Sequence, residues 1–276
     1  MFWRTGIITG FLFVVLTLTV RELFLVPSGD LRIHTLDVGQ GDSILLVSPS
    51  GKNILIDGGP DTSALEHLGK YLSFFDRRID LLILTHPDLD HITALPDILK
   101  RYRIETILLT GIQKNNAPRY ESFLYQITQH TPSIIVADPA KDIDIGDGLI
   151  LDIIWPPRST ARTKPSKANN TSVVIRAVFG SGSILLTGDI ETKAEMEILM
   201  SGADIRSDIL KVPHHGSRTS SSTWFLLAIK PALAIVSAGR DNQFGHPHLE
   251  VMERYRHFGI PVRNTAEEGT ISLSFP

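Results

Sequence analysis

Short apolar runs, each broken by glycine, proline or aspartate turns, alternate with amphipathic stretches along most of this chain. Runs of that kind read as strands buried on both faces, and stretches with apolar residues three and four apart read as helices packed on them. The pattern predicts strands over Leu31–Val38, Ser43–Val47 and Asn53–Ile56, separated by Gly39-Gln40-Gly41 and Ser50-Gly51 turns. A helix over Ser63–Phe75 and a strand over Ile79–Leu84 follow, then a helix over Ala94–Tyr102, a strand over Thr106–Leu109 and a helix over Tyr120–His130. Further strands are expected near Ser133–Val136 and Leu149–Trp155.

The second half echoes the first. Ser172–Phe179 and Ser183–Leu186 form a hairpin about Gly180-Ser181-Gly182 and deliver Thr187-Gly188-Asp189; a helix over Thr192–Met200 and a strand over Asp208–Val212 then deliver His214-His215. In the first half a hairpin about Ser50-Gly51 delivers Asp57-Gly58-Gly59, and after a helix the next strand delivers His86. From Asp57 to His86 is 29 positions (86 − 57), and from Asp189 to His214 is 25 (214 − 189). The two halves therefore read as a duplicated hairpin–strand–helix–strand unit. Two such sheets face to face with helices outside make an α/β fold of four layers, an αββα sandwich. A doubly wound α/β sheet is the competing architecture, and the hairpins count against it.

The first 26 residues stand apart from this pattern. Ile7–Val20 is almost wholly apolar or Thr/Gly, Arg4 precedes it, Arg21-Glu22 interrupts it, and Leu23–Val26 resumes it. Fourteen such residues suit a signal-peptide core, whereas about 20 are needed to cross a bilayer. No small-x-small cleavage site follows, and Pro27-Ser28-Gly29 reads as a linker. Residues 1–26 are therefore expected to be an uncleaved single-pass membrane anchor, contacting the membrane through residues 7–26, in preference to a removed signal or a buried helix. A single domain is expected over 31–276. Arg4 and Arg21 flank the span almost evenly and leave its orientation open.

Composition adds limits. With 276 residues and 42% hydrophobic content the chain can build a substantial core. It has no cysteine, so it holds neither disulfides nor thiolate metal ligands. A net charge of −3 argues against a protein that coats nucleic acid through a broad basic face, though not against a local one.

The candidate chemistry gathers at strand ends, where a stiff scaffold meets free loops. Thr85-His86-Pro87-Asp88-Leu89-Asp90-His91 places four metal-ligand side chains within six residues, directly after the strand Leu81–Leu84. Two imidazoles and two carboxylates that close together are poorly solvated unless a cation sits among them; the competing reading is a polar loop with Asp90 as a helix N-cap. Six of the ten histidines fall in three short motifs, His86/His91, His214/His215 and His246/His248. His34, His67, His130 and His257 occur singly and read as surface or satisfied core residues.

The pattern His86-x-Asp88-x-Asp90-His91, then Gly188-Asp189, then His214-His215-Gly216-Ser217, resembles the metallo-β-lactamase superfamily. Within it, Leu36-Asp37-Val38-Gly39-Gln40-Gly41-Asp42-Ser43, Ile56-Asp57-Gly58-Gly59 and Lys211-Val212-Pro213-His214-His215-Gly216-Ser217 resemble the β-lactamase-like domain of the ComEC/Rec2 competence proteins. The resemblance runs from about Leu31 to the C-terminus; in place of the multi-helix channel of those proteins one hydrophobic segment is expected.

It implies a site for two divalent metal ions. His86 and Asp88 would hold one and Asp90 and His91 the other, with Asp189 bridging. Either His214 or His215 would complete the second site, His215 being favoured. In the family's commonest pattern a histidine stands where this chain has Asp88, and the carboxylate shifts preference from zinc toward Mn²⁺ or Mg²⁺ without excluding zinc. A further histidine usually arrives between the halves, where this chain offers only Asn169-Asn170. In the implied chemistry Asp90 orients the nucleophile, and His214 assists at a phosphoryl oxygen or the leaving group. His246 either reaches the substrate or lies in a solvent-facing loop. Asp57 is expected to hydrogen-bond the loop backbone, and turn chemistry alone explains Asp37 and Asp42.

For substrate binding the candidates are Asn170, Arg162, Lys164 and Arg218. The stretch Arg158–Lys167 carries four basic residues and no acidic one, against the competing reading of an ordinary solvated loop. The expectation is a membrane-anchored, metal-dependent hydrolase with its domain on the extracytoplasmic side. The resemblance implies a phosphodiesterase or nuclease acting on single-stranded DNA in competence, or DNA uptake. Hydrolysis of another ester (a phosphocholine or a lactone) and a non-catalytic DNA-binding accessory are the alternatives.

Overall fold

In the computed structural model, which describes residues 2–114, 117–165 and 167–276, the apolar runs pair into two seven-stranded sheets. After a helix α1 (Phe2–Leu25) come strands β1 (Leu31–Thr35), β2 (Ile44–Val47) and β3 (Asn53–Ile56), helix α2 (Ser63–Tyr71) and strand β4 (Arg78–Leu84). Short helices α3 (Leu89–Ile92) and α4 (Leu95–Arg101) lead to β5 (Arg103–Leu109), α5 (Pro118–His130) and β6 (Ser133–Val136). The second half runs β7 (Ile143–Gly146), β8 (Leu149–Trp155), β9 (Val174–Phe179), β10 (Gly182–Leu186), α6 (Thr192–Ser201), β11 (Ile209–Lys211), α7 (Thr223–Ile229) and β12 (Leu233–Val236). Helix α8 (Leu249–His257), β13 (Val262–Asn264), α9 (Thr265–Glu268) and β14 (Ile271–Phe275) complete the chain.

The sheet orders are β14-β1-β2-β3-β4-β5-β6 and β13-β12-β11-β10-β9-β8-β7. In each, an antiparallel hairpin passes into parallel strands: Ile44 faces Ile56 across β2–β3 and Ile56 faces Ile83 across β3–β4, while Gly182 faces Phe179 and Ile184 faces Ile209. The duplication expected from the sequence is thus a pair of matching sheets. One apolar cluster joins them, including Ile33, Ile54 and Ile83 from the first and Leu151, Ile175 and Ile184 from the second. A second cluster seats α2, α4 and α5 on the first sheet, and a third seats α6, α7 and α8 on the other. These are the four layers of the αββα sandwich, and burial of their faces supplies the main stabilising term.

Several boundaries move for identifiable reasons. The strand expected to reach Val38 stops at Thr35, because Gly39 (φ 74°) and Gly41 (φ 147°) turn the chain back toward β2. The helix expected to reach Phe75 stops at Tyr71, where Leu72 becomes extended. Strand β14 has no counterpart in the sequence reading. It alternates buried and exposed residues and covers the outer edge of β1, with Leu31 opposite Phe275.

The expected membrane span requires correction. Helix α1 forms, but among the described residues no helix is long and apolar enough to cross a membrane. The clean apolar stretch Ile7–Val20 holds 14 residues, about 21 Å of helix against a hydrocarbon core of about 30 Å. Beyond it the helix belongs to the domain. Arg21 donates to the carbonyls of Gly69 (2.5 Å) and Leu72 (3.0 Å), and Glu22 accepts from the Ser73 hydroxyl (2.5 Å) and the Phe74 N–H (3.2 Å).

His34 on β1 is a buried core residue, as expected of a singly placed histidine. Its Nδ1 lies 2.8 Å from the Ser272 hydroxyl on β14, and its ring packs 4.3 Å from Tyr71. Burial, reinforced by Arg32, lowers its pKa from 6.5 to about 4. The unfolded chain therefore takes up this proton first. The stabilisation is complete above pH 6.5 and is lost as pH falls toward 4, by about 3 kcal/mol in all. His34→Leu should flatten that part of the pH–stability curve in urea denaturation; an unchanged slope would refute the assignment.

Candidate metal centre

The side chains at the site sit just beyond the C-terminal ends of strands, in the following turn or on the short helix α3. β3 leads into Asp57, β4 into Thr85-His86, and α3 carries Asp90 and His91. From the other half β10 leads through Thr187-Gly188 to Asp189, and β11 leads through Val212-Pro213 to His214-His215. Gly188 is required here, because a Cβ on it would lie 2.8 Å from the Ser172 side chain and 3.1 Å from that of Thr85. His214 and His215 both take left-handed backbone (φ 48° and 54°), which the surrounding contacts must hold in place. The His214 N–H donates to Gly188 O and the Ser217 N–H to His214 O.

At the centre lies Asp189 Oδ2. The Nε2 atoms of His91 and His215 are each 3.3 Å from it, that of His214 3.8 Å and that of His86 4.0 Å. Donor atoms of Asp90, His91, Asp189 and His215 all lie within 4.8 Å of one another. The far nitrogen of each buried ring is taken. His91 Nδ1 donates to Asp57 Oδ2 (2.7 Å) and His215 Nδ1 to Ser237 O (2.8 Å); His86 Nδ1 lies against the hydroxyls of Thr85 (3.1 Å) and Ser172 (3.3 Å). By contrast, Nε2 of His86, His91 and His215 and Oδ1 of Asp189 are buried without a hydrogen-bond partner. Rings anchored through one nitrogen, with the other aimed at a shared carboxylate, are what a cation site requires. These residues fit a metal.

Electrostatics agree. Burial disfavours imidazolium at His91 and His215, but Asp189 outweighs it, aided by Asp57 at His91 and Asp42 at His215, and both pKa values rise well above the usual histidine range. Burial would raise the Asp189 carboxyl, yet His215 and His91 hold it well below the ordinary range. Asp90 is likewise lowered to about 2, its burial outweighed chiefly by His91. The pocket thus gathers positive charge around its carboxylates, by protons where no cation serves. His86 and His214 are lowered, first by burial. His246, lowered to about 4 by burial and the neighbouring histidines, is a neutral ring 5.5 Å from that of His214.

The remaining sequence candidates divide. Asp57 does bind the loop backbone, accepting from the Thr85 N–H (2.8 Å) and hydroxyl (2.6 Å), and it also orients His91. His246 reaches the rim, with Nδ1 3.4 Å from the Gln40 amide. Asp88 Oδ2 lies 3.6 Å from His86 Nε2, while its Oδ1 pairs with Lys114. Asn170 faces the wrong way: its Oδ1 accepts from the N–H groups of Glu191 (3.0 Å) and Ala194 (3.4 Å) at the start of α6. Asn169 enters the site instead, 3.3 Å from His214 Nε2. Arg162 and Lys164 are exposed and outside the cavity beside the donors. Arg218 is 64% exposed, its nearest acidic partner Glu250 at 3.9 Å. Their charge keeps them in water, so sequence proximity did not bring them to the centre.

Two contributors escaped the sequence reading. Lys114 was not singled out, yet it lines a cavity of about 320 Å³ with Asp88, Glu191 and His214 and with Lys167 and Asn169, which the sequence had brought into view. Asp42 was assigned to turn chemistry, yet it is buried, pairs with the buried Lys211 at 2.7 Å and lies 3.4 Å from His215 Nδ1. Lysine set between Leu210 and Val212 in an apolar strand was the available signal. Gly41 belongs to the same junction, since a Cβ there would lie 2.2 Å from Asp90 O.

Comparison with known proteins bears out the resemblance read from the motifs. The family model described as the metallo-beta-lactamase superfamily matches residues 36–240. ComE operon protein 3 of Bacillus subtilis (strain 168) is 31% identical over 274 residues, covering 92% of this chain and 34% of that protein. Recombination protein 2 of Haemophilus influenzae is 36% identical over 250 residues, covering 88% of this chain and 29% of that protein. The chain thus spans about a third of the length of these curated relatives. Among solved structures, CmlA, a diiron beta-hydroxylase from Streptomyces venezuelae, superposes with a TM-score of 0.55 at 15% identity, over 90% of this chain and 55% of its own, a likeness of fold alone.

Proposed function

This chain belongs to the metallo-β-lactamase superfamily, and from that premise we propose that it is a metal-dependent phosphodiesterase acting on DNA in a competence-related role. The observation that carries the reading is Asp189 Oδ2, within 4.0 Å of four imidazole Nε2 atoms supplied by both halves. In this reading His86, Asp88 and Asp189 would hold one cation, and Asp90, His91, Asp189 and His215 would hold the other. When bound, such a pair supplies concentrated positive charge that acidifies water and stabilises charge on phosphoryl oxygens. The carboxylate-rich donor set suits Mn²⁺ or Mg²⁺, with zinc as the alternative.

The chain's own groups then bind and orient. Lys114 and Lys167 face the cavity beside the donors and offer ammonium groups to phosphate oxygens. His214, with Glu191 3.8 Å from Nδ1 and Asn169 at Nε2, holds or passes the proton of the leaving oxygen. Asp90 orients the attacking water. Among the described residues no Phe, Tyr or Trp lines the cavity, which favours grip on a phosphate backbone over stacking of bases. The place of action that fits is the outer side of a membrane, where entering DNA is met.

The test is hydrolysis of bis-p-nitrophenyl phosphate and of single-stranded DNA by the full chain with added Mn²⁺, Mg²⁺ or Zn²⁺. Turnover with Mn²⁺ is expected, and failure with all three rejects the reading. Lys114→Ala should raise KM for DNA and reduce the slope of log K against log salt by about 1, whereas an unchanged salt slope would remove Lys114 from substrate contact. Two observations favour a second reading: Lys114 already sits on Asp88, and the side chain that reaches His214 from the segment between the halves is a neutral amide, Asn169. A protein holding a single tight ion would then be a DNA-binding accessory. Metal stoichiometry by native mass spectrometry separates the two, two ions supporting the enzyme.

A further inference from the structure

The edge of the first sheet opposite the metal centre carries its own surface chemistry. Ser73–Arg77 links α2 to β4, and Arg101 ends α4 just before β5, so both lie at the N-terminal ends of the parallel strands, where Arg78 faces Arg103. The site residues lie at the C-terminal ends, about 20 Å away along the seven residues of β4. At this edge Phe74 is 64% and Phe75 85% exposed. The Arg77 guanidinium lies 5.7 Å from the Phe74 ring. Arg77 and Arg101 rim a cavity of about 330 Å³ whose other walls include Leu68, Leu72, Phe74 and Tyr102. Among the described residues neither arginine has a carboxylate partner, nor has the nearby Lys70, while Asp76 is occupied by the Asn53 amide and the Arg78 N–H.

Helix α1 leaves the domain at this same edge. Arg21 and Glu22 clamp it to the backbone of Gly69–Phe74. Beyond the clamp its side chains from Phe11 to Val20 include Phe11, Phe13, Leu16 and Leu18, all more than half exposed. Aromatic side chains beside unpaired arginines, below an apolar helix, match the layered chemistry of a lipid interface: phosphate at the level of the guanidinium groups and hydrocarbon beyond. Charge complementarity selects anionic lipid. We propose that the edge formed by Phe74, Phe75, Arg77 and Arg101 seats on an anionic phospholipid surface, the cavity between the arginines receiving a headgroup phosphate. The metal centre then faces away from the bilayer. This inference is independent of the reaction assigned to that centre.

The chain has no cysteine, so single labels are clean. Full-length F75C and Q243C, each carrying an environment-sensitive fluorophore, are reconstituted in vesicles of phosphatidylcholine or of phosphatidylcholine with phosphatidylglycerol, with brominated lipid as quencher. Position 75 should shift to the blue and be quenched in anionic vesicles, while position 243, on the loop before His246, stays in water. R77Q/R101Q should abolish the dependence on phosphatidylglycerol, a loss of about fivefold in the docking equilibrium for each arginine. F74S/F75C should weaken quenching and keep the charge dependence. Water exposure at position 75, quenching at 243 instead, or equal quenching with and without anionic lipid would each overturn the proposal. So would the same shift produced by free glycerophosphate alone, which would mark a soluble-phosphate site, or by self-association without lipid.

Discussion

Asp189→Ala should abolish hydrolysis and strip metal from the protein. The carboxylate is 1% exposed and sits among four imidazole Nε2 atoms, so no other side chain can take its place. Loss of an outer partner of a metal ligand costs about 10–100-fold; removing the shared ligand should exceed that in kcat/KM and leave fewer than two ions bound. Asp189→Asn is the sharper variant, because it keeps the shape and withdraws only the charge. His91 and His215 owe their raised pKa values to Asp189 against the opposing effect of burial. Both should titrate lower in the metal-free Asn variant, observable by NMR of the ring protons. Parental metal content with parental turnover in either variant would end the two-metal reading.

Lys211→Ala should be among the most destabilising single changes in the domain. Lys211 is 1% and Asp42 2% exposed, and they pair at 2.7 Å. Breaking a buried pair by removing one partner leaves an uncompensated charge and costs about 3–5 kcal/mol. For a domain of this size that is a fall in Tm on the order of 10 °C. Burial alone would raise the Asp42 carboxyl, but Lys211 and then His215 hold it well below the ordinary range. Its stabilisation is therefore complete above pH 3.8 and lost as pH falls below that value. Replacing both partners, as in D42L/K211M, should recover much of the stability while weakening metal binding about 10–100-fold, since His215 loses the carboxylate near Nδ1. A Lys211→Ala protein melting within a degree or two of the parent would show that water or another group compensates Asp42.

The sandwich and the clustering of most candidate metal ligands were legible because they rest on local rules. Apolar runs of strand length ended where Asp57, His86, Asp189 and His214 begin, and the hairpins recurred at matching intervals. Spacing within Thr85–His91 held the donors together whatever the rest of the chain did. Substrate residues were less legible, since Arg162, Lys164 and Asn170 were chosen by nearness in sequence. Charge near a site in sequence carries no direction, whereas Asn169 and Asn170 differ by the one residue that turns a side chain toward His214 or toward α6.

By itself the sequence determined which segments are strands and helices, that two equivalent units face each other, and that imidazoles and carboxylates cluster at strand ends. Those outcomes follow from periodicity and side-chain chemistry, which act over a few residues. Only the tertiary structure decided that His215 supplies the ring nearest Asp90, that Asp42 reaches Lys211 from the far side of the chain, that β14 closes the edge of β1, and that α1 is clamped by Arg21 and Glu22. Each joins residues tens to hundreds of positions apart, and their pairing is set by how the two sheets pack, a property that no local pattern encodes.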